Sequence, residues 1–263
     1  DGRIRHTIVP SGTISGRASH RNPNLAQVPK VGLEFGKECR ELFTVPEGWC
    51  LLGSDLSGLE LRCLAHYLND GGEYAQQILE GDIHTYNQKA AGLKTRDQAK
   101  TFIYATMYGG GDQMIGKIAG GNAKLGKQLK ADFNKNIPAF GMLLAKLKKA
   151  YERGYLVGLD GRKLYVRSEH KLLSQLLQSA GAIICKQWVA LCDQQINLQF
   201  GSDQAYIVGW IHDEIQVACK NKEIANGVGS IPSGMAREAG ETLKVKIPIG
   251  SEYSVGRPWA STH

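Results

Sequence analysis

The chain has 263 residues, 42% of them apolar and 22% charged, and carries a net charge of +7. That length allows one large domain or two small ones with a real hydrophobic core, and the composition excludes a disordered or fibrous chain. No run of 18 or more apolar residues occurs, so no membrane partner is expected; the basic balance suits a polyanion, though it also describes many ordinary globular proteins.

No signal peptide is read at the start, and a chain opening at Asp1 is expected to be a piece of a longer protein. Along it, Pro10-Ser11-Gly12 marks a turn between short strands. A buried strand is predicted over 49–54, with Asp55 at its end, and a helix over 58–68, where Leu61, Leu64, Ala65 and Leu68 share a face. Residues 96–108 are predicted to form a helix, and 124–151 one or two basic amphipathic helices broken near Pro138. The lysines of that stretch read as solvated helix faces. Asp160-Gly161 marks a hairpin-type turn, and an apolar helix is expected over 172–191. Strands are predicted over 205–211 and 215–219, with His212-Asp213-Glu214 at the tip between them. Gly227, Gly229, Pro232 and Gly234 are expected to interrupt a helix around 223–240. The six cysteines (Cys39, Cys50, Cys63, Cys185, Cys192 and Cys219) form no Cys-x-x-Cys pair and are expected as reduced core residues of a cytoplasmic protein. Strands early and late with helices between them predict an α+β fold, a sheet carrying a helical insertion.

Three clusters carry chemistry. The first is Asp55-Leu56-Ser57-Gly58-Leu59-Glu60-Leu61-Arg62; Asp55 can meet a cation at the strand end, or simply cap the following helix. In the second, Arg96, Lys100, Tyr104 and Tyr108 recur every fourth residue and so form one slanting helix stripe. Its cations can hold phosphates and its rings can stack on bases or sugars, unless the tyrosines are merely half-buried. The third is His212-Asp213-Glu214, functional or simply exposed at a hairpin tip. If adjacent strands bring Asp55 and Asp213 together, their carboxylates repel unless cations neutralise them. Two Mg²⁺ ions, held by few carboxylates plus substrate phosphate oxygens, meet that need and serve phosphoryl transfer.

With these clusters in this order, the sequence resembles family A DNA polymerases of the bacterial DNA polymerase I type, most of all the replicative polymerases of short-tailed lytic phages. The ending, residues 259–263, resembles the phage enzymes as well. The resemblance implies a polymerase palm sheet with a helical fingers insertion: residues 1–68 and 166–263 as palm, 69–165 as fingers, with the thumb and the 3′–5′ exonuclease domain absent. It implies template-directed addition of deoxynucleotides to a primer 3′-OH with release of pyrophosphate, in phage DNA replication in the host cytoplasm. Template–primer DNA and deoxynucleoside triphosphates are the implied partners, with replisome partners reached through the missing upstream domains.

By the same resemblance, Asp55 and Asp213 bind two Mg²⁺ ions with help from the Leu56 carbonyl, and Glu214 joins the catalytic group. Arg96, Lys100 and His84 hold the triphosphate, and Lys100 protonates the leaving pyrophosphate. Glu60 packs against Tyr104 beneath the sugar and excludes a 2′-hydroxyl. Arg17, Tyr108, Gly109, Gln178 and His212 contact DNA: Arg17 in the minor groove, Tyr108-Gly109 beside the templating position, His212 near the primer terminus. The sequence departs from the family at Ser174, where an Asn is expected, and in the Gly/Pro-broken tail near 227–234, where a helix is usual; Tyr104 stands where many relatives carry Phe. The competing readings are a single-subunit RNA polymerase, a DNA-binding fragment without catalysis, and a two-metal nuclease. Glu60 and the full stripe argue against the first, and the stripe is unexplained by the last.

Overall fold

A computed structural model describes residues 2–262. His263, the last residue of the ending compared above with phage enzymes, lies outside them. In chain order, β1 (Thr7–Val9) and β2 (Ser19–Arg21) make an antiparallel ribbon, followed by α1 (Gly36–Glu41) and β3 (Cys50–Leu56). The helices α2 (Leu59–Tyr67), α3 (Glu73–Leu79), α4 (Ile83–Ala91), α5 (Arg96–Met107), α6 (Asp112–Ile118), α7 (Ala123–Asn136) and α8 (Pro138–Glu152) come next. A short ribbon of β4 (Leu156–Val157) and β5 (Lys163–Leu164) leads to the long helix α9 (Leu172–Phe200). The chain closes with β6 (Ala205–Ile211), β7 (Glu214–Cys219), α10 (Lys222–Val228), α11 (Ser230–Thr242) and β8 (Ser251–Gly256).

These elements form two compact units, Asp1–Leu59 with Gly181–His263, and Glu60–Ala180. The sequence reading sets the borders at 68/69 and 165/166. In the structure the short helix α2, from Glu60 onward, and the first part of α9 group with the helical unit.

The first unit is built on a four-stranded antiparallel sheet of order β6-β7-β3-β8. The two central strands are buried almost throughout, and Leu51, Leu52, Ile215, Val217 and Ala218 fill the core. That explains why their sequences read as apolar runs rather than alternations. Within the same unit, Trp188 of α9 is fully buried and donates its indole N–H to the Pro232 carbonyl at 2.8 Å.

The tail is a correction. The stretch near 223–240 is not broken along its length but split once, at Gly229, into α10 and α11. Pro232 falls in the first turn of α11, where a backbone N–H has no helical partner to lose. A β-carbon at Gly229 would meet the outer end of the exposed Tyr253 ring, which packs against this split. The long helix also runs to Phe200 rather than stopping at 191.

The second unit is held by aromatic edge-to-face contacts, Phe102 to Phe133 at 5.3 Å and Phe133 to Phe140 at 5.1 Å, which join α5, α7 and α8. Pro138 opens α8, its φ suited to a helix start, so α7 and α8 separate there as predicted. Among the described residues no helix is long and apolar enough to cross a membrane. All six cysteines are free, and Cys63, Cys185, Cys192 and Cys219 are buried.

Candidate active site

Asp55 and Asp213 both belong to the first unit. Strands β3 and β7 pair antiparallel with Asp55 opposite Glu214, so Asp213 stands one residue beyond that rung. The Leu56 N–H donates to the Asp213 carbonyl at 3.1 Å, linking the two acidic segments through their backbones. Asp55 is exposed and Asp213 half-buried, in an otherwise buried pair of strands. Both carboxylates, together with Arg17, act electrostatically on the Cys185 thiol, which places all three charges around one side chain. Among the described residues no group of three or more His, Cys, Asp or Glu side chains forms a ready metal cage. Two carboxylates and a main-chain carbonyl are instead a partial, all-oxygen set, of the kind that Mg²⁺ accepts while keeping places for phosphate oxygens. The donor chemistry fits that ion.

Glu214 sits differently. The sequence reading puts it at the tip with His212 and Asp213, but it begins β7 and is only 4% exposed. Its carboxylate accepts from the Gln216 side-chain amide and the Trp259 indole, both at 2.6 Å, and faces Arg40 at 3.9 Å. Arg40 is equally buried, donates to the Pro29 carbonyl at 3.0 Å and lies 4.3 Å above the Trp259 ring. These bonds hold Glu214 in the core at the start of β7, a correction to its expected position at the tip with His212 and Asp213. Arg40 and Trp259 carry no motif, so nothing in sequence spacing announces them.

The tip itself is strained. His212 takes a left-handed φ of 58°, which costs a non-glycine residue on the order of 1–3 kcal/mol. His212 is exposed at this tip, and Arg17 is half-buried beyond β1.

In the second unit, α5 turns Ala99, Phe102, Ile103, Ala105 and Met107 inward. That leaves Arg96 and Lys100 exposed, Tyr104 half-buried and Tyr108 45% exposed along the stripe. Thr95 and Gln98 form a capping box at its start, so Arg96 stands on a well-defined helix N-terminus. Asp82 caps α4, accepting from the His84 and Thr85 backbone N–H groups and from the Thr85 hydroxyl, and also accepts from Arg96 Nε at 2.7 Å. The starts of α4 and α5, with His84 and Arg96, are thereby tied together. The Arg96 guanidinium, then the Thr85 hydroxyl, hold the Asp82 carboxyl well below the usual carboxylate range. Burial, then the charges of Arg96 and Lys100, push the His84 imidazole below its ordinary range. Asp82 as the partner of Arg96 was not foreseen; the Asp-x-x-Thr capping pattern was the available signal.

Glu60 accepts a hydrogen bond from the Tyr108 hydroxyl at 3.0 Å, adding a partner that the sequence did not predict. Gly109 has φ 81° and a β-carbon there would collide with the His170 carbonyl, so glycine is required. Lys130, read as solvated, instead donates to the Gly110 carbonyl at 2.7 Å and pairs with Asp112, fixing the turn after α5. Gln178 is half-buried on α9, and Ser174 on the same helix returns its hydroxyl to the Lys171 carbonyl.

A family model for DNA polymerase family A matches residues 1–261. The chain belongs to DNA polymerase family A. This family A chain is 43% identical over 293 aligned residues to a DNA-directed DNA polymerase of Enterobacteria phage T3, and 42% identical to one of Escherichia phage T7. Each match covers 100% of the chain and 42% of the relative, so the chain spans less than half the length of these curated relatives. A thermostable DNA polymerase I of Thermus filiformis is 28% identical over 98% of the chain and 32% of that relative. Among solved structures, the POL domain of Pol1 from M. smegmatis, determined with DNA primer-template and dNTP, superposes with a TM-score of 0.86 at 22% identity. That match covers 99% of the chain and 49% of the solved one. The family resemblance and the α+β polymerase fold read from the sequence are thus both established.

Proposed function

We propose that this chain carries the nucleotidyl-transfer centre of a template-directed DNA polymerase, acting in phage DNA replication in the cytoplasm of a host cell. The observation that carries the reading is the β3–β7 pairing, which brings Asp55 and Asp213 to neighbouring strand ends with Leu56 bonded to Asp213. Asp55, Asp213 and the Leu56 carbonyl would hold two Mg²⁺ ions, which when bound supply charge stabilisation for phosphoryl transfer. Arg96, Lys100 and His84 bind the triphosphate of the incoming deoxynucleotide, Arg96 exchanging Asp82 for phosphate oxygens. Lys100 delivers a proton to the departing pyrophosphate. Glu60 and Tyr104 bound the sugar, and Tyr108-Gly109 flank the templating position. Arg17, Gln178 and His212 contact the template–primer, and Glu214 positions β7.

Primer extension on a labelled template–primer with Mg²⁺ tests the reading. Deoxynucleotide addition that follows the template supports it. Preference for ribonucleotides would favour an RNA polymerase, and salt-sensitive DNA binding without extension would favour a non-catalytic binding fragment.

Tyr104 adds a specificity prediction. Its hydroxyl can take the place of the 3′-hydroxyl missing from a dideoxynucleotide, so the chain is expected to discriminate poorly against such terminators. In competitive incorporation, Tyr104→Phe is expected to restore discrimination. Equal dideoxy-to-deoxy ratios before and after the change would refute the role.

A further inference from the structure

Asp213 is fixed from both sides, and only one side is accounted for by the paired strands. Its own carbonyl accepts from Leu56. The preceding carbonyl, that of His212, accepts from the Trp210 indole N–H at 2.9 Å and from the Cys185 thiol at 3.1 Å. The indole N–H also lies 3.2 Å from the Cys185 sulfur, closing a triangle of three groups. Cys185 is 2% exposed on α9, and its thiol donates to that carbonyl from within the core. The carbonyl so gripped belongs to the peptide joining His212 to Asp213. It follows the residue that adopts the left-handed φ of 58°, a conformation disfavoured for histidine unless the surroundings impose it. Two donors on that carbonyl are what the surroundings provide.

We infer that Trp210 and Cys185 are positioning residues of the nucleotidyl-transfer centre, a clamp that sets the His212–Asp213 peptide plane and so aims the Asp213 carboxylate. Neither touches substrate; each acts through Asp213. The inference rests on the proposed function. Groups that orient a metal-binding carboxylate contribute on the order of 10–100-fold to metal affinity or activity when removed.

The test compares the 263-residue chain with Trp210→Phe, Cys185→Ala, their combination, and Cys185→Ser, which retains a donor. Two readouts are taken: single-turnover deoxynucleotide incorporation against nucleotide concentration, and Mn²⁺ binding by electron paramagnetic resonance. The combined variant is expected to lose maximal rate by on the order of tenfold or more, with the half-saturating nucleotide concentration little changed, and to bind Mn²⁺ several-fold more weakly. Cys185→Ser is expected to stay near wild type in both. Folding is checked by urea titration, and if the combined variant is unfolded the single variants decide. Unchanged rate and unchanged Mn²⁺ affinity in a folded variant overturn the clamp while leaving the polymerase reading intact. Equal losses in rate and in nucleotide affinity, not relieved by serine, reduce it to packing and overturn it too. If the wild type binds Mn²⁺ but does not extend, the Mn²⁺ arm decides. A wild type that does neither overturns the polymerase reading and the clamp with it.

Discussion

Asp213→Ala is expected to lower primer extension about a thousandfold to ten-thousandfold while leaving DNA binding close to wild type. The size follows from the charge: ions bound at such a centre contribute several kcal/mol of stabilisation, and each 1.36 kcal/mol is a factor of ten in rate. Asp213 is half-buried at the end of a tight hairpin, and its backbone carbonyl accepts from the Leu56 N–H. That link between the strands survives removal of the carboxylate. Asp55→Ala, one residue before Leu56 on β3, should behave alike, and Asp213→Asn should be nearly as slow because it keeps the shape and loses the charge. Rates are compared in single-turnover extension, with DNA affinity measured alongside at fixed salt. Extension by both alanine variants within tenfold of wild type would remove these aspartates from the centre.

The second large effect is on stability. Arg40→Met leaves Glu214 buried without its cation, and breaking such a pair from one side costs on the order of 3–5 kcal/mol. The indole and amide donors at 2.6 Å remain and soften the loss without removing it. Combining Arg40→Met with Glu214→Gln is expected to recover part of the stability, because no unpaired charge then stays in the core. The assay is direct, since all four tryptophans (Trp49, Trp188, Trp210 and Trp259) lie in the unit that contains Arg40 and Glu214. Urea unfolding followed by tryptophan fluorescence reports that unit alone. A midpoint unmoved by Arg40→Met would show that the 3.9 Å pair contributes nothing there.

Much of the site was legible because its residues are local in sequence. The stripe of Arg96, Lys100, Tyr104 and Tyr108 needs only helix geometry, and the inward residues of α5 leave it facing out. The apolar runs around Asp55 and Asp213 identify central strands, since a strand buried on both faces has no polar alternation. Glu214 was misread because hairpin spacing fixes only which residues are near a turn. Whether a carboxylate points to water or into the core depends on Arg40 and Trp259, which are 174 and 45 residues away (214 less 40; 259 less 214). The tail was misread for a similar reason. Pro232 breaks a helix or starts one according to its place in the first turn, and the split at Gly229 lies against the Tyr253 ring of β8.

The sequence by itself determined the family, the two carboxylates, the cationic helix face and the strands and helices that flank these motifs, because these rest on local periodicity and on motifs in fixed order. Only the tertiary structure decided that β3 and β7 are neighbours, that Asp82 holds Arg96, that Glu214 is a buried anchor, and that Trp210 and Cys185 grip the peptide before Asp213. Each of these is a contact between segments far apart in the chain or a choice of side-chain direction, set by packing and hydrogen-bond satisfaction over the whole unit rather than by any residue's own preference.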